Sequence, residues 1–262
     1  MSTVRYDEKG PVAIVTIDRP EARNAVDRPT AAALTERFRT FNDDERLAVA
    51  VLTGSRGTFC AGADLKSVAR GEGNRVTLER PDTIADSAGP LGPTRLLLDK
   101  PVIAAVEGHA VAGGLELALW CDLRVAADDA VFGVYCRRWG VPLCDGGTVR
   151  LPRLIGHSHA LDLILTGRGV SGAEALSMGL ANRLTPAGQA LDGALELAEQ
   201  LSRFPQHCLR SDRRSAYEQW SLSLPEALSN EVELGWATIE SGETLAGAES
   251  FSRGAGRHGS FE

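Results

Sequence analysis

The sequence predicts a mixed α/β core followed by a helical C-terminal region. Short runs of β-branched and apolar residues, such as 12–17 and 102–106, are typical of buried strands, and helical patterns lie between them. Strand patterns end at about residue 185. We therefore predict a core over residues 1–187 and a helical region over residues 188–262.

The first elements of the core follow in order along the chain. The strand 12–17 ends at a proline-containing turn, and apolar residues at helical spacing predict a helix over residues 29–41. A second buried strand is expected at 47–52, before a glycine-containing turn. Such short runs between helices favour a sheet that is covered on both faces.

The rest of the chain alternates between loops, helices and strands. Residues 70–80 are polar and contain glycines, which predicts a loop, and a helix is expected from about 83 to 98. The strand 102–106 follows. A glycine pair then opens a helix that reaches about residue 120, and residues 123–126 form another strand. Three helical patterns close the chain, over residues 189–204, 205–220 and 225–240.

Composition excludes several classes of function. The net charge is −7 and no basic stripe is present, so we expect no nucleic-acid partner. No apolar run approaches the roughly 20 residues of a membrane span, and the N-terminus lacks the apolar run of a secretory signal. The five cysteines form no CxxC pair, and no His, Cys or Asp cluster has metal-ligand spacing. We therefore expect a cytoplasmic protein without a metal site.

The first segment with chemical potential is AGADLK, residues 61–66. A small-residue turn precedes a helix that starts at Asp64, and small residues let a ligand approach the backbone closely. Amide groups near a helix start also favour negative charge. Taken alone, the segment fits equally well a simple turn with Asp64 as the helix N-cap.

The second segment, residues 107–118, carries a strand into a glycine pair and a helix. Glu116 lies in the first helical turn, and its neighbours Leu115 and Leu117 suggest partial burial. A carboxyl group in apolar surroundings tends to have a raised pKa, which suits proton transfer. Glu116 could also be an ordinary acidic residue at a helix start. Together, the two segments supply backbone amides from separate turns, as an oxyanion hole for a thioester requires.

These segments resemble the signature regions of the crotonase (enoyl-CoA hydratase/isomerase) superfamily. The matching stretches are residues 61–66, residues 108–118 with the following Cys121-Asp122, and residues 171–182, and the likeness covers about residues 12–251. The resemblance implies a spiral of ββα units with a C-terminal helical trimerisation region. It also implies trimers or hexamers, acyl-CoA thioester substrates and no separate cofactor, because coenzyme A is part of the substrate.

The resemblance also assigns roles to individual residues. The amides of Ala63 and Gly113 would hold the thioester oxygen, Gly114 would allow close packing beside them, and Glu116 would be the first catalytic carboxylate. Five residues would lie near the coenzyme A: Arg23, Ala25, Ala61, Asp64 and Leu65.

The chain departs from the family pattern at the second catalytic position. Hydratases of the family usually carry a glutamate where this sequence has Cys136, and a glycine where it has Cys144. A thiol with an ordinary pKa near 8.5 is a poor substitute for a carboxyl group that donates a proton. We expect Cys136 to be a packing residue.

Asp145 is the candidate that replaces the missing glutamate. Residues 145–148 resemble the dienoyl-CoA isomerase branch of the family if one gap is allowed, and an aspartate moves protons there. Asp145 could instead only cap the helix that starts at Gly146. Nearby, Arg137 and Arg138 could pair with Asp145 or with phosphates, and Trp139 could line an acyl pocket or fill the core.

The leading hypothesis is hydration of a 2-enoyl-CoA in fatty acid metabolism, or the reverse dehydration, by Glu116 and Asp145. An enoyl- or dienoyl-CoA isomerase is the first alternative, because one carboxylate can move a proton between two carbons. Other reactions of CoA thioesters, and an acyl-CoA-binding protein without catalysis, remain open. The sequence leaves the acyl chain length open, as well as the choice between trimer and hexamer.

Overall fold

The computed structural model describes residues 3–84 and 87–256, and the chain divides into two compact units between Ser202 and Arg203. The strands are β1 (Val4–Lys9), β2 (Val12–Ile17), β3 (Val49–Gly54), β4 (Val102–Val106), β5 (His109–Val111), β6 (Leu123–Ala127), β7 (Val131–Gly133), β8 (Gly169–Ser171) and β9 (Arg183–Thr185). The α-helices are α1 (Arg28–Asp43), α2 (Leu65–Ala69), α3 (Gly113–Trp120), α4 (Gly147–Ile155), α5 (His157–Thr166), α6 (Gly172–Ser177), α7 (Ala190–Ser202), α8 (Gln206–Glu218), α9 (Leu224–Glu240) and α10 (Glu243–Ser252). Short 3₁₀ helices include Pro93–Arg95 and Tyr135–Trp139.

Two sheets organise the first unit. The larger has the strand order β1-β2-β3-β4-β6-β9, in which β1 and β2 are antiparallel and the other neighbours are parallel. The smaller has the order β5-β7-β8. The strands predicted at 12–17, 102–106 and 123–126 are confirmed, whereas β1 and α10 were not predicted.

Alternating side chains of the larger sheet enter two separate cores. In β3, Val49 and Val51 belong to one core, and Ala50 and Leu52 belong to the other. The period of two along a strand sends successive side chains to opposite faces, so both faces are apolar and both need cover. Helices α1 and α3 contribute to the larger core, and the candidate site is built on that side of the sheet.

Helix α7 covers the second face of this sheet. Its residues Ala194, Leu197 and Ala198 pack in the same core as Val49 and Val51. The division between the compact units therefore falls after α7, whereas the boundary predicted at residues 187/188 lies before it. The second unit contains α8, α9 and α10, and α9 starts at a capping box.

The helix predicted over residues 83–98 is wrong for the described part of that segment. Residues 89–92 form a tight turn in which Gly89 and Gly92 exchange backbone hydrogen bonds, and a 3₁₀ helix follows at Pro93–Arg95. Proline lacks an amide hydrogen and disfavours helical backbone in the residue before it, so the Gly-Pro pairs at 89–90 and 92–93 prevent an α-helix. Residues 85 and 86 of the predicted helix lie outside the described residues.

No helix among residues 3–84 and 87–256 has the length and apolar character needed to cross a membrane. The described residues also contain no group of three or more His, Cys, Asp or Glu side chains that could hold a metal ion.

A candidate active site with two buried carboxyl groups

A cavity of about 780 Å³ lies in the first unit, and residues from both sequence segments line it. Eight of the predicted site residues are among its lining: Arg23, Ala61, Ala63, Leu65, Gly113, Glu116, Trp139 and Asp145. Three others, Ala25, Asp64 and Gly114, are buried and are not among the lining residues. The loop predicted at 70–80 contributes Gly71, Gly73, Asn74 and Val76 to the wall.

Backbone pairing brings the two segments together. The amide of Cys60 donates to the carbonyl of His109 at 2.9 Å, and the amide of Val111 donates to the carbonyl of Cys60 at 3.1 Å. The turns that follow then touch, because a Cβ added to Gly62 would lie 2.7 Å from the Gly113 nitrogen. Only glycine fits at position 62, which also has a φ of +92°.

The amides of Ala63 and Gly113 are candidate donors to a ligand. Both residues line the cavity, and neither amide donates a hydrogen bond to another residue of the described chain. Gly113 is the first residue of α3, where the intrahelical acceptor is absent and the helix dipole favours negative charge. The preceding Ala112 has a φ of +54°, which is an uncommon conformation for a residue with a side chain. Such strain concentrates at functional sites.

Gly114 supports the site from behind. A Cβ at this position would lie 2.0 Å from the carbonyl oxygen of Cys60, so α3 and the Cys60 segment are in backbone contact. Glycine is required here by space, because the φ of Gly114 is not positive.

Glu116 is buried beside the start of α4. Glu116 is 3% exposed. Its Oε1 accepts hydrogen bonds from the amides of Asp145 (2.9 Å) and Gly147 (2.8 Å). No described residue donates a hydrogen bond to Oε2, which leaves that oxygen for a ligand. Burial, followed by the charge of Asp145, raises the pKa of Glu116 to about 7, although the two amide hydrogen bonds oppose the shift.

Asp145 is held by a different part of the chain. It is 4% exposed, and its Oδ1 accepts hydrogen bonds from the amide of Leu91 at 2.9 Å and from the hydroxyl of Thr94. Burial raises the pKa of Asp145, and the hydrogen bond from Thr94 is the largest influence that lowers it. The alternative in which Asp145 caps the next helix is wrong, because Gly146 is the N-cap of α4 and no side chain in the described part of the chain caps this helix.

The thiols on the cavity wall are poor proton carriers. Cys136 is buried, as expected of a packing residue, but it also lines the cavity, as does Cys144. Burial and then the charge of Glu116 raise the pKa of both thiols. Neither thiol therefore substitutes for the carboxyl group that the family usually has.

Arg137, Arg138 and Trp139, which follow Cys136, do not have all the contacts that the sequence suggested for them. Arg137 and Arg138 donate to the backbone carbonyls of Ile164 and Gly167 rather than to Asp145. Trp139 is 73% exposed and lines the cavity, so the core position considered for it is wrong.

Asp64 has a structural environment. Its Oδ1 accepts from the amides of Lys66 and Ser67 at the start of α2, and its Oδ2 forms an ion pair with Arg19. Arg19 also pairs with Asp27, the N-cap of α1, so one guanidinium ties the starts of two helices that line the cavity.

A family model described as enoyl-CoA hydratase/isomerase matches residues 7–254. The chain belongs to this family. Enoyl-CoA hydratase EchA19 from Mycobacterium tuberculosis is 35% identical over 253 residues, which cover 94% of this chain and 92% of that protein. A carnitinyl-CoA dehydratase from Salmonella enteritidis PT4 is 43% identical over 201 residues, covering 76% and 74%.

Solved structures of the family have the same fold. Enoyl-CoA hydratase EchA1 from Mycobacterium marinum superposes with a TM-score of 0.88 at 36% identity, covering 97% of this chain and 96% of that chain. A carnitinyl-CoA dehydratase from Mycobacterium avium 104 superposes with a TM-score of 0.76 at 34% identity, covering 92% and 91%. The predicted crotonase fold is therefore confirmed.

Sequence reasoning missed the residues that hold the carboxyl groups. Leu91 and Thr94 lie in the segment that was predicted to be helical, and Arg150 donates to the backbone carbonyls of Thr94 and Asp145. The two Gly-Pro pairs could have indicated a turn there. No local pattern indicates that this turn contacts Asp145.

Proposed function

We propose that this enoyl-CoA hydratase/isomerase family member hydrates a 2-enoyl-CoA thioester or catalyses the reverse dehydration. The observation that carries the proposal is the presence of two buried carboxyl groups, Glu116 and Asp145, on one cavity, each with one oxygen bound by the protein. The amides of Ala63 and Gly113 have no acceptor among the described residues, and both residues line the same cavity. This set provides a proton carrier, a second acceptor for water and an oxyanion hole.

The reaction needs no other group. The water oxygen bonds to the β-carbon while Glu116 takes one proton from the water. The π electrons move toward the thioester oxygen, where the amides of Ala63 and Gly113 stabilise the negative charge. Collapse of the enolate then takes the proton from Glu116 onto the α-carbon, so one water is added and nothing is oxidised or reduced.

The two carboxyl groups have different roles in this proposal. Glu116 has a pKa near 7, which suits a group that takes and returns a proton at neutral pH. Burial raises the pKa of Asp145, and the two hydrogen bonds that its Oδ1 accepts oppose this shift. We assign Asp145 the role of orienting the water as an acceptor. Because the groups interact, the measured pKa values belong to the pair.

The pH dependence follows from the pKa of Glu116. Only ionised Glu116 can accept a proton from water, and its ionised fraction falls about tenfold per pH unit below its pKa. We therefore expect kcat/KM for hydration to rise with pH up to about 7 and then to level off. A steady-state profile from about pH 5 to about pH 9 measures this, and a profile that is flat across pH 7 would contradict the role of Glu116.

Isomerisation of a double bond is the second candidate. It is favoured by Cys136, which occupies the cavity wall where hydratases of the family usually have a glutamate. Isomerisation requires only one carboxylate, which moves a proton between two carbons. The amides of Ala63 and Gly113 would stabilise the enolate in this reaction as well.

Incubation with 2-enoyl-CoA thioesters in ¹⁸O-water tests the proposal directly. We expect a product heavier by one labelled water, detected by mass spectrometry of the thioester. 3-Enoyl and dienoyl thioesters are tested in parallel, and turnover of these without label would favour isomerisation. Carnitinyl-CoA is included because relatives bear the name of its dehydratase. No turnover of any thioester would overturn the proposal.

We propose that the acyl group carries no positive charge. Tyr135 lines the cavity, and the guanidinium of Arg138 lies 4.1 Å from the centre of its ring. This cation already occupies one face of the ring and repels a second positive charge nearby. The assay above therefore should favour a neutral enoyl-CoA over carnitinyl-CoA.

Three further expectations accompany the proposed activity. We propose a homotrimer or a hexamer, which is supported by a row of exposed apolar residues along α9: Leu224, Leu228, Val232 and Trp236. We also propose that the enzyme works in the cytoplasm and that it needs no cofactor beyond the coenzyme A of its substrate.

A further inference from the structure

Asp145 depends on a contact with a distant turn. Its Oδ1 accepts two hydrogen bonds, one from the amide of Leu91 and one from the hydroxyl of Thr94. Thr94 is fully buried, so its hydroxyl has no access to solvent. No described residue donates a hydrogen bond to Oδ2 of Asp145. Both protein donors therefore hold the same oxygen and leave the other one to the cavity that Asp145 lines.

The turn at residues 89–92 is shaped for this contact. Gly89 and Gly92 exchange backbone hydrogen bonds of 2.7 and 3.0 Å, which places the Leu91 amide at the tip of the turn. A Cβ on Gly89 would lie 2.0 Å from the Thr94 hydroxyl oxygen and 2.8 Å from Oδ1 of Asp145. Any side chain at position 89 would therefore disturb the contact between Thr94 and Asp145.

Arg150 ties the same two segments a second time. One terminal nitrogen of its guanidinium donates to the carbonyl of Asp145 at 2.9 Å, and the other donates to the carbonyl of Thr94 at 2.7 Å. Two charge-assisted hydrogen bonds from one planar group fix the spacing between those backbones. The Thr94 hydroxyl is thereby kept within reach of the Asp145 carboxylate.

The contact also reaches Glu116. The backbone amide of Asp145 donates to Oε1 of Glu116 at 2.9 Å, so the residue whose side chain is held by Thr94 holds Glu116 with its main chain. A shift of Asp145 would move the acceptor for water and would alter the surroundings of the proton carrier at the same time.

We propose that Thr94 is a positioning residue of the reaction: its hydroxyl, with the Leu91 amide, holds Oδ1 of Asp145 so that Oδ2 meets the water or substrate. The inference rests on the proposed function for its catalytic consequence. It assigns to the 89–95 segment a role in the chemistry in addition to a role in packing.

Thr94→Val removes the hydroxyl and keeps the shape of the side chain. A hydrogen bond to a charged group is worth enough to change a rate by about 10-fold to 100-fold, so we expect kcat to fall by about that factor with little change in KM. Thr94→Ser restores the donor and is expected to retain kcat within about threefold of the unmodified protein. Thr53→Val is the matched control, because Thr53 is also buried but donates to the carbonyl of Ala105 in the sheet.

A second readout does not depend on turnover. Carbon-13 NMR titration of the aspartate carboxyl groups in the free protein is expected to show a higher pKa for Asp145 in Thr94→Val, since a donor to its ionised form is lost. Thr53→Val should leave that titration unchanged. If no thioester is turned over but the titration shifts, the proposed function fails and the contact stands.

Two results would overturn the inference. The first is an unchanged Asp145 titration together with an unchanged kcat in Thr94→Val. The second is a loss of kcat in Thr94→Ser equal to that in Thr94→Val, which would assign the effect to the methyl group. If Thr94→Val does not fold, Gly89→Ala disturbs the same contact by steric overlap and is expected to lower kcat and shift the Asp145 titration in the same way.

Discussion

Replacing Glu116 by glutamine is expected to lower kcat for hydration by about 10²-fold to 10⁴-fold, the range that a general acid–base group contributes. Glutamine keeps the size of the side chain and an oxygen that can accept from the amides of Asp145 and Gly147. It cannot take a proton from water. The measurement is the initial rate on a 2-enoyl-CoA at the pH of the plateau, with the melting temperature as a check on folding.

Glu107→Gln is the matched control for this substitution. Glu107 also accepts two backbone hydrogen bonds, from Gly188 and Ala190 at the start of α7, but it is not among the residues that line the cavity. We expect its kcat to remain within about twofold of the unmodified protein. A Glu116→Gln protein that keeps most of its activity would show that another group moves the proton.

Gly114→Ala is expected to disrupt both the fold near the site and the activity. The added Cβ would lie 2.0 Å from the Cys60 carbonyl oxygen and 2.7 Å from the carbonyl carbon, and backbone atoms cannot rotate away as a side chain can. Overpacking of this kind costs about 3 kcal/mol of unfolding free energy. Because α3 must move to make room, Gly113 and Glu116 move with it, and a shift of about 1 Å costs roughly 100-fold in rate.

Gly235→Ala separates this effect from the general effect of alanine in a helix. Gly235 lies within α9, and a Cβ there would meet no atom of the described residues within 4 Å. Alanine is the better helix former, so the free energy of unfolding should rise by up to about 1 kcal/mol. Urea denaturation followed by circular dichroism measures both variants. Equal stability of Gly114→Ala and the unmodified protein would contradict the backbone contact.

The strands of the larger sheet were predictable because their cause is local. The runs 12–17 and 102–106 carry mainly apolar residues on both faces, and that pattern indicates strands buried between two layers. The run 123–126 has the same character except at Arg124. The helix that carries Glu116 was predictable for a similar reason, since a glycine pair opens it. The strand β1 was missed because four of its six residues are charged, and it lies at the edge of the sheet.

The failures have tertiary causes. The segment 83–98 contains enough apolar residues to suggest a helix. Leu91 and Leu98 are indeed buried, but Leu91 lies in a turn and Leu98 lies outside any helix. Of the two positions considered for Trp139, the core is wrong, and the residue lies exposed at the wall of the cavity. Apolar content predicts burial on average, and a binding cavity is a place where that average fails.

By itself, the sequence determined the family, the two glycine-containing turns and Glu116, because each depends on residues that are near one another in the chain. Only the tertiary structure decided where the side chain of Asp145 lies. The residues next to Asp145 in the sequence were equally consistent with a helix cap and with a side chain that lines the cavity. Hydrogen bonds from Leu91 and Thr94, which lie more than 50 positions earlier in the chain, hold the side chain at the cavity. A polar side chain in a turn bonds to the donors that the tertiary structure places beside it. The spacing of residues along the chain does not show which donors these will be.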